Sequence, residues 1–158
     1  MKVFLGGTIN GSLWRDEVID NISIDYFNPI VSEWNSEAVA NEEHEKKVCD
    51  YLLFVITPLM DGVYSIAEAA DSSNKCPERT LLCVLGEDGG KVWSESQLNS
   101  LNQFKRLVED NGAMVFDDLD GVIEFLNNLD WFIHTFNWFF TAPYWMLFHK
   151  ACFHSMVC

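Results

Sequence analysis

The chain has 158 residues, 49% of them hydrophobic and 22% charged, with a formal net charge of -14; it is long enough for one packed domain and too apolar for disorder. That acidity excludes an extended surface for a nucleic acid polymer, which needs clustered Lys and Arg, yet leaves room for a small anion held by backbone N–H groups at a helix start. Five cysteines (Cys49, Cys76, Cys83, Cys152 and Cys158) without a C-x-x-C pair argue against a disulfide framework or structural zinc and for a reducing cytoplasm.

In chain order, residues 2–6 (KVFLG) read as a first strand that breaks into GTINGS, its apolar run too short for a secretory signal. Ser12 is the expected cap of a helix from Leu13 to Asn21. Residues 23–31 read as a second strand stopped at Asn28-Pro29. A polar loop leads to a helix over residues 41–49, with Asn41 as its cap and acidic residues ahead of lysines, as the helix dipole prefers. The run DYLLFVITP, residues 50–58, is apolar without alternation, the mark of a strand buried on both faces at the centre of a parallel sheet. A helix over 63–74, a strand over 80–86, a helix over 95–110, a strand over 113–116 and a helix over 118–129 complete the alternation. This order implies a doubly wound, five-stranded parallel α/β sheet with right-handed crossovers.

Ligands of such sheets bind beyond the carboxyl ends of the strands, near the switch in strand order. That rule selects the segments from Gly6 to Ser12, Asn28 to Trp34, Thr57 to Glu68, and from Gly86 onward. The GGTING loop, with Gly6, Gly7 and Thr8, offers either close backbone approach to a ligand or an ordinary tight turn; it is neither a dinucleotide fingerprint nor a Walker loop. The segment TPLMDGVYSIAEAA leaves the buried strand, turns, and opens a helix carrying Ser65 and Glu68. A carboxylate there lies over the crevice, partly shielded from water, and can serve as nucleophile or general base, or simply stabilise the helix start. Trp14, Tyr26 and Trp34 are candidate platforms for a base, with core packing as the commoner role of such aromatics. Arg15 reads as an anion ligand or a surface ion pair. The four histidines show no useful metal-ligand spacing.

The details VFLGGT, WR, YFNPIV with Trp34, the strand DYLLFVITP and the helix YSIAEAADSSN together resemble the nucleoside 2-deoxyribosyltransferase-like family over roughly residues 2 to 116. The resemblance implies a flavodoxin-like fold and a nucleoside or nucleotide as the small-molecule partner, without a cofactor or metal. It implies an N-glycosidic transferase or hydrolase acting on 2'-deoxynucleosides or their monophosphates, in which Glu68 attacks the anomeric carbon and forms a glycosyl ester. Asp61, or failing that Glu42, falls into the role of the acid that assists the departing base. Gly6, Gly7, Thr8, Trp14, Asn28, Trp34, Glu42 and Ser65 are then the substrate-binding candidates. A homo-oligomer is implied as well, since pockets of this family are commonly completed by a neighbouring subunit. The chain departs from the family's G-x-G-x-E pattern in having Tyr64-Ser65-Ile66-Ala67 before Glu68, which narrows the expected sugar pocket. A different N-ribosyl substrate, or a non-catalytic nucleotide-binding or assembly module on the same fold, are the competing readings.

The domain is expected over residues 1–129, followed by an aromatic-rich tail over 130–158. From Trp131 to His149 the chain carries no Asp, Glu, Lys or Arg. This length approaches a bilayer span, but its Trp and Tyr density suits an interface. Membrane contact, a dimer arm and a poorly ordered extension compete as readings of it.

Overall fold

The computed structural model describes residues 1–31, 33 and 35–140, with side chains described to residue 129. Strand β1 (Lys2–Gly7), helix α1 (Trp14–Asn21), β2 (Asp25–Phe27), α2 (Ser36–Val48), β3 (Tyr51–Ile56), α3 (Tyr64–Lys75) and β4 (Thr80–Val84) follow in order. The two-residue strands β5 (Glu87–Asp88) and β6 (Lys91–Val92), α4 (Glu95–Asp110), β7 (Met114–Phe116) and α5 (Leu119–Phe140) come after them. The main sheet has five strands in the order β2-β1-β3-β4-β7, every pairing parallel. The unbroken run of residues 50–58 therefore supplies the central strand, as its lack of alternation predicts.

Successive residues of each strand feed opposite faces. Val3, Leu5, Leu53, Val55, Leu81 and Cys83 pack with Trp14 and Val18 of α1 and Val122 and Leu126 of α5. Phe4, Phe54, Ile56, Leu82 and Val84 pack with Ala69 of α3 and Leu101 and Val108 of α4. Helices on both faces explain why β3 and β4 carry no polar side: each of their residues except Thr80 meets a core.

Several local expectations are corrected. β2 has only three residues because the Asn28 side chain accepts from the Ile30 N–H at 3.2 Å and turns the chain out of the sheet. α2 starts at Ser36, capped by Asn35, whose side chain accepts from the Ala38 N–H at 2.9 Å, and not at Asn41. Ser12 caps nothing; its hydroxyl donates to Asp88, and Leu13 occupies the cap position of α1. The β5–β6 hairpin was not expected from sequence. Its Gly89 and Gly90 both have positive φ, the conformation that an Asp-Gly-Gly step supplies to a two-residue hairpin turn. Helix α5 runs from Leu119 to Phe140, beyond the 118–129 expected for it. Residues beyond 140, among them the second half of the stretch from Trp131 to His149, lie outside the described residues.

Candidate functional site

β1 and β3 are neighbours, but the chain leaves β1 for α1 on one face and β3 for α3 on the other. This is the switch in strand order, and the diverging connections open a crevice above it. The crevice holds a cavity of about 140 Å³, lined by residues 7–10 of the β1–α1 loop and by Met60, Asp61, Gly62, Tyr64 and Ser65 of the β3–α3 turn. It is smaller than the ~300–1,000 Å³ of pockets that enclose drug-sized ligands. A sugar or a phosphate fits within it, with any larger group left in the open cleft.

The floor is knotted to the sheet through Thr8. The Thr8 N–H donates to the Val55 carbonyl at 2.9 Å, and the Thr57 N–H donates to Thr8 Oγ1 at 3.0 Å. The Thr8 carbonyl accepts twice, from Trp14 Nε1 at 2.8 Å and from Arg15 Nη1 at 2.6 Å. Arg15 also donates to the Gly7 and Leu5 carbonyls, each at 3.2 Å, and its guanidinium lies over the Trp14 ring. Arg15 is 3% exposed, and burial, opposed by the nearby Glu42 charge, brings its pKa down to about 10. It is thus neither an anion ligand nor a surface ion pair: its donors are occupied by backbone carbonyls that shape the first loop. Trp14 is likewise a packing residue, 2% exposed in the core beneath the loop, and it offers no stacking face to the cavity.

The two glycines of the loop answer to packing. A Cβ on Gly6 would stand 2.8 Å from the Phe54 ring, and one on Gly7, at φ 121°, 2.1 Å from the Val55 carbonyl oxygen. The loop then presents Thr8, Ile9 and Asn10 to the cavity, so close approach of β1 to β3, rather than to a ligand, is what demands glycine.

Of the residues named from sequence, Gly7, Thr8, Asp61 and Ser65 meet at this cavity. Gly6 lies beneath it. Asn28 stands at the carboxyl end of β2, one strand further along the same edge. Trp34 lies outside the described residues. Asp50 sits at the opposite end of the sheet, where it accepts from the Lys2 N–H at 2.8 Å.

Glu68 does not line the cavity. It follows Ser65 by three residues and so occupies the same face of α3, one turn deeper. Its Oε1 accepts from Lys46 Nζ of α2, and the same ammonium pairs with Glu42 Oε1 at 2.5 Å. Glu42 therefore joins Glu68 through Lys46 and stands apart from Asp61. The three side chains are only 15% (Glu42), 23% (Lys46) and 16% (Glu68) exposed, and Lys46 Nζ lies 5.2 Å from the Phe4 ring centroid. Burial alone would lower the Lys46 pKa, but its hydrogen bonds to Glu42 and Glu68 outweigh that and raise it. Lys46, which joins these two carboxylates, is the residue that sequence reasoning passed over. Its i,i+4 spacing from Glu42 was the available signal, although that spacing is equally at home on a solvated helix.

Around the mouth, Ile9, Leu13, Val63 and Tyr64 are exposed, Tyr64 at 74%. Tyr64 consequently does not fill the cavity, and Ile66 packs against the core on the α3–α4 side. Among the described residues no helix is long and apolar enough to cross a membrane.

A parallel sheet of this order, with a small cavity at the switch and a carboxylate on the helix after the central strand, defines a flavodoxin-like α/β domain with a small-molecule site. The family model described as nucleoside 2-deoxyribosyltransferase like matches residues 1–86, more than half of the chain, and the protein belongs to that family. The match spans β1 to β4, and with them the cavity, Lys46 and Glu68; it ends at residue 86, short of the 116 expected from sequence. No curated protein matches the chain. Membership points to glycosyl transfer on deoxynucleosides.

Proposed function

We propose that the protein cleaves the N-glycosidic bond of 2'-deoxynucleosides or their monophosphates, with Glu68 as the nucleophile. The observation that carries this reading is the placement of Glu68: one turn behind Ser65 at the cavity edge, mostly shielded from water, with its carboxylate held against an ammonium. A carboxylate so placed stabilises an oxocarbenium-like centre and can close on it. One Glu68 oxygen bonds to the anomeric carbon as the C–N bond breaks, and the electron pair leaves with the base. Asp61, exposed on the cavity wall, is on this reading the acid that supplies the proton the base takes up. The ester is then resolved by a second base or by water. Ser65, at the start of α3, suits a sugar hydroxyl or a phosphate, which the helix N-terminus also favours.

The test is to incubate the protein with a panel of deoxynucleosides and their monophosphates and follow free base by chromatography. Glu68→Gln, which keeps shape and removes charge, and Glu68→Ala should each cut base release by several orders of magnitude with the fold intact. A Gln variant that turns over at the wild-type rate removes Glu68 from the mechanism.

A second reading has one observation in its favour, since Glu68 is not part of the cavity wall and its carboxylate is already engaged. On that reading the domain is a non-catalytic nucleotide-binding module. Wild-type protein that binds nucleotides but frees no base from any member of the panel decides for it.

A further inference from the structure

The nucleophile proposed above does not stand alone. Lys46 reaches it from α2, a different helix, and takes one of its two oxygens, Oε1. The same ammonium keeps Glu42 at 2.5 Å, so two carboxylates share one cation in a place where all three are largely withdrawn from water. An i,i+4 pair between Glu42 and Lys46 needs no third member. Glu68 enters from α3, the next helix in the chain, and its arrival is the feature to be explained.

We propose that Lys46 is a positioning residue for Glu68: it holds Oε1, aims Oε2 toward the cavity, and keeps Glu42 as its own counterion for the stage at which Glu68 carries no charge. This rests on the reading of Glu68 as nucleophile. When Oε2 bonds to the anomeric carbon and the C–N electron pair departs with the base, Glu68 passes from anion to neutral ester. A lysine paired with Glu68 alone would then be left as an uncompensated cation in a poorly solvated place, which is costly. Glu42 removes that cost because its carboxylate stays beside Lys46 throughout. Oε1 becomes the carbonyl oxygen of the ester and still accepts from Lys46. When the acceptor attacks the anomeric carbon, the C–Oε2 bond breaks, its electron pair returns to Glu68, and the ammonium stabilises the carboxylate as it leaves. Lys46 keeps its protons in both steps.

The experiment uses the full chain and the substrate that the panel identifies, comparing wild type with Lys46→Met, Lys46→Arg and the double variant Lys46→Met/Glu42→Gln, each checked for folding by thermal melt. Loss of alignment should lower kcat by about 10²-fold with KM nearly unchanged, and Lys46→Arg, which keeps the charge, should recover a large part of it. The double variant leaves no unpaired carboxylate at position 42, so it folds even where Lys46→Met does not, and it should remain as slow as the single variant. Wild-type kcat in Lys46→Met, or its restoration in the double variant, overturns the proposal, because Lys46 would then serve only to balance Glu42. A wild-type protein that releases no base overturns the nucleophile reading itself, and this proposal with it, before any variant is compared.

Discussion

Gly7 closes β1 and Gly11 lies in the loop that follows, both at positive φ (121° and 75°), and replacing each with alanine separates backbone strain from packing. A Cβ at Gly11 meets nothing within 4 Å, so Gly11→Ala should cost only the left-handed conformation, about 1 kcal/mol. At Gly7 the same penalty applies, but the Cβ would stand 2.1 Å from the Val55 oxygen and 2.6 Å from its nitrogen. Both are backbone atoms of the central strand and cannot swing aside. β1 must separate from β3 there, which breaks the Thr8 N–H bond to Val55 and the Thr57 N–H bond to Thr8 Oγ1. Each bond contributes about 1 kcal/mol, and forcing an extra methyl into a tight contact adds about 1–3 kcal/mol. Gly7→Ala should thus lose about 4–6 kcal/mol, a large part of the ~5–15 kcal/mol available to a domain. Urea unfolding followed by tryptophan fluorescence measures both variants, since Trp14 and Trp93 are buried. Equal losses in the two variants, or a Gly7→Ala protein within about 1 kcal/mol of wild type, would refute the claim that this glycine is fixed by strand packing.

Asp61→Asn should slow base release by about 10²–10⁴-fold, less than Glu68→Ala, and the deficit should shrink for substrates whose base leaves easily; a deficit independent of the leaving base counts against Asp61 as the acid. Arg15→Lys replaces a fork serving three carbonyls with a single ammonium, so the urea midpoint should fall by the equivalent of about 2 kcal/mol; an unchanged midpoint would show that the three bonds are dispensable. Burial pushes the Cys49 thiol up to about 11 and the Cys83 thiol to about 12, from an ordinary value of 9.0. The unfolded chain therefore loses these protons first, and stability falls as pH rises above about 9, by roughly 1.4 kcal/mol per thiol at pH 10. Melting temperature measured from pH 8 to 10 checks this, and Cys83→Ala should remove about half of the decline; a flat profile in the wild type contradicts it.

The sheet was legible because its strands carry their instructions locally. Residues 50–58 and 80–86 are apolar throughout, and a run of that kind has few homes other than the middle of a doubly covered sheet. The switch-point rule then located the crevice without any motif. What escaped were features set by contacts distant in sequence. Ser12 looks like a cap because its local surroundings suit one, yet its partner is Asp88, 76 residues away. Arg15 looks like a surface cation among acidic neighbours, and only the folded β1–α1 loop supplies the three carbonyls that bury it. Lys46 sits in the run NEEHEKKVC, where acidic residues followed by lysines suggest an exposed helix, while Glu68 reaches it from α3. Asn35 and Asn41 both suit the start of a helix, and only backbone geometry selects the former.

None of the 13 residues of α2, all of them described, is fully buried. The helix is fastened chiefly at its carboxyl half: Glu45 pairs with Lys2 at 2.6 Å, Lys46 with Glu68, and Arg79 donates to the carbonyls of Lys46 and Cys49. Charge does here what apolar area does for α1, α3, α4 and α5, and charge is sensitive to the solvent. The screening length contracts from ~8 Å in physiological buffer to ~3 Å at 1 M salt, so ionic strength weakens the more exposed Lys2–Glu45 pair and acts much less on the shielded Lys46–Glu68 pair and the sheet beneath it. Amides of α2 should accordingly take up deuterium before those of β3. The helix that carries Lys46 to Glu68 is thereby the part of the fold most open to tuning by its surroundings.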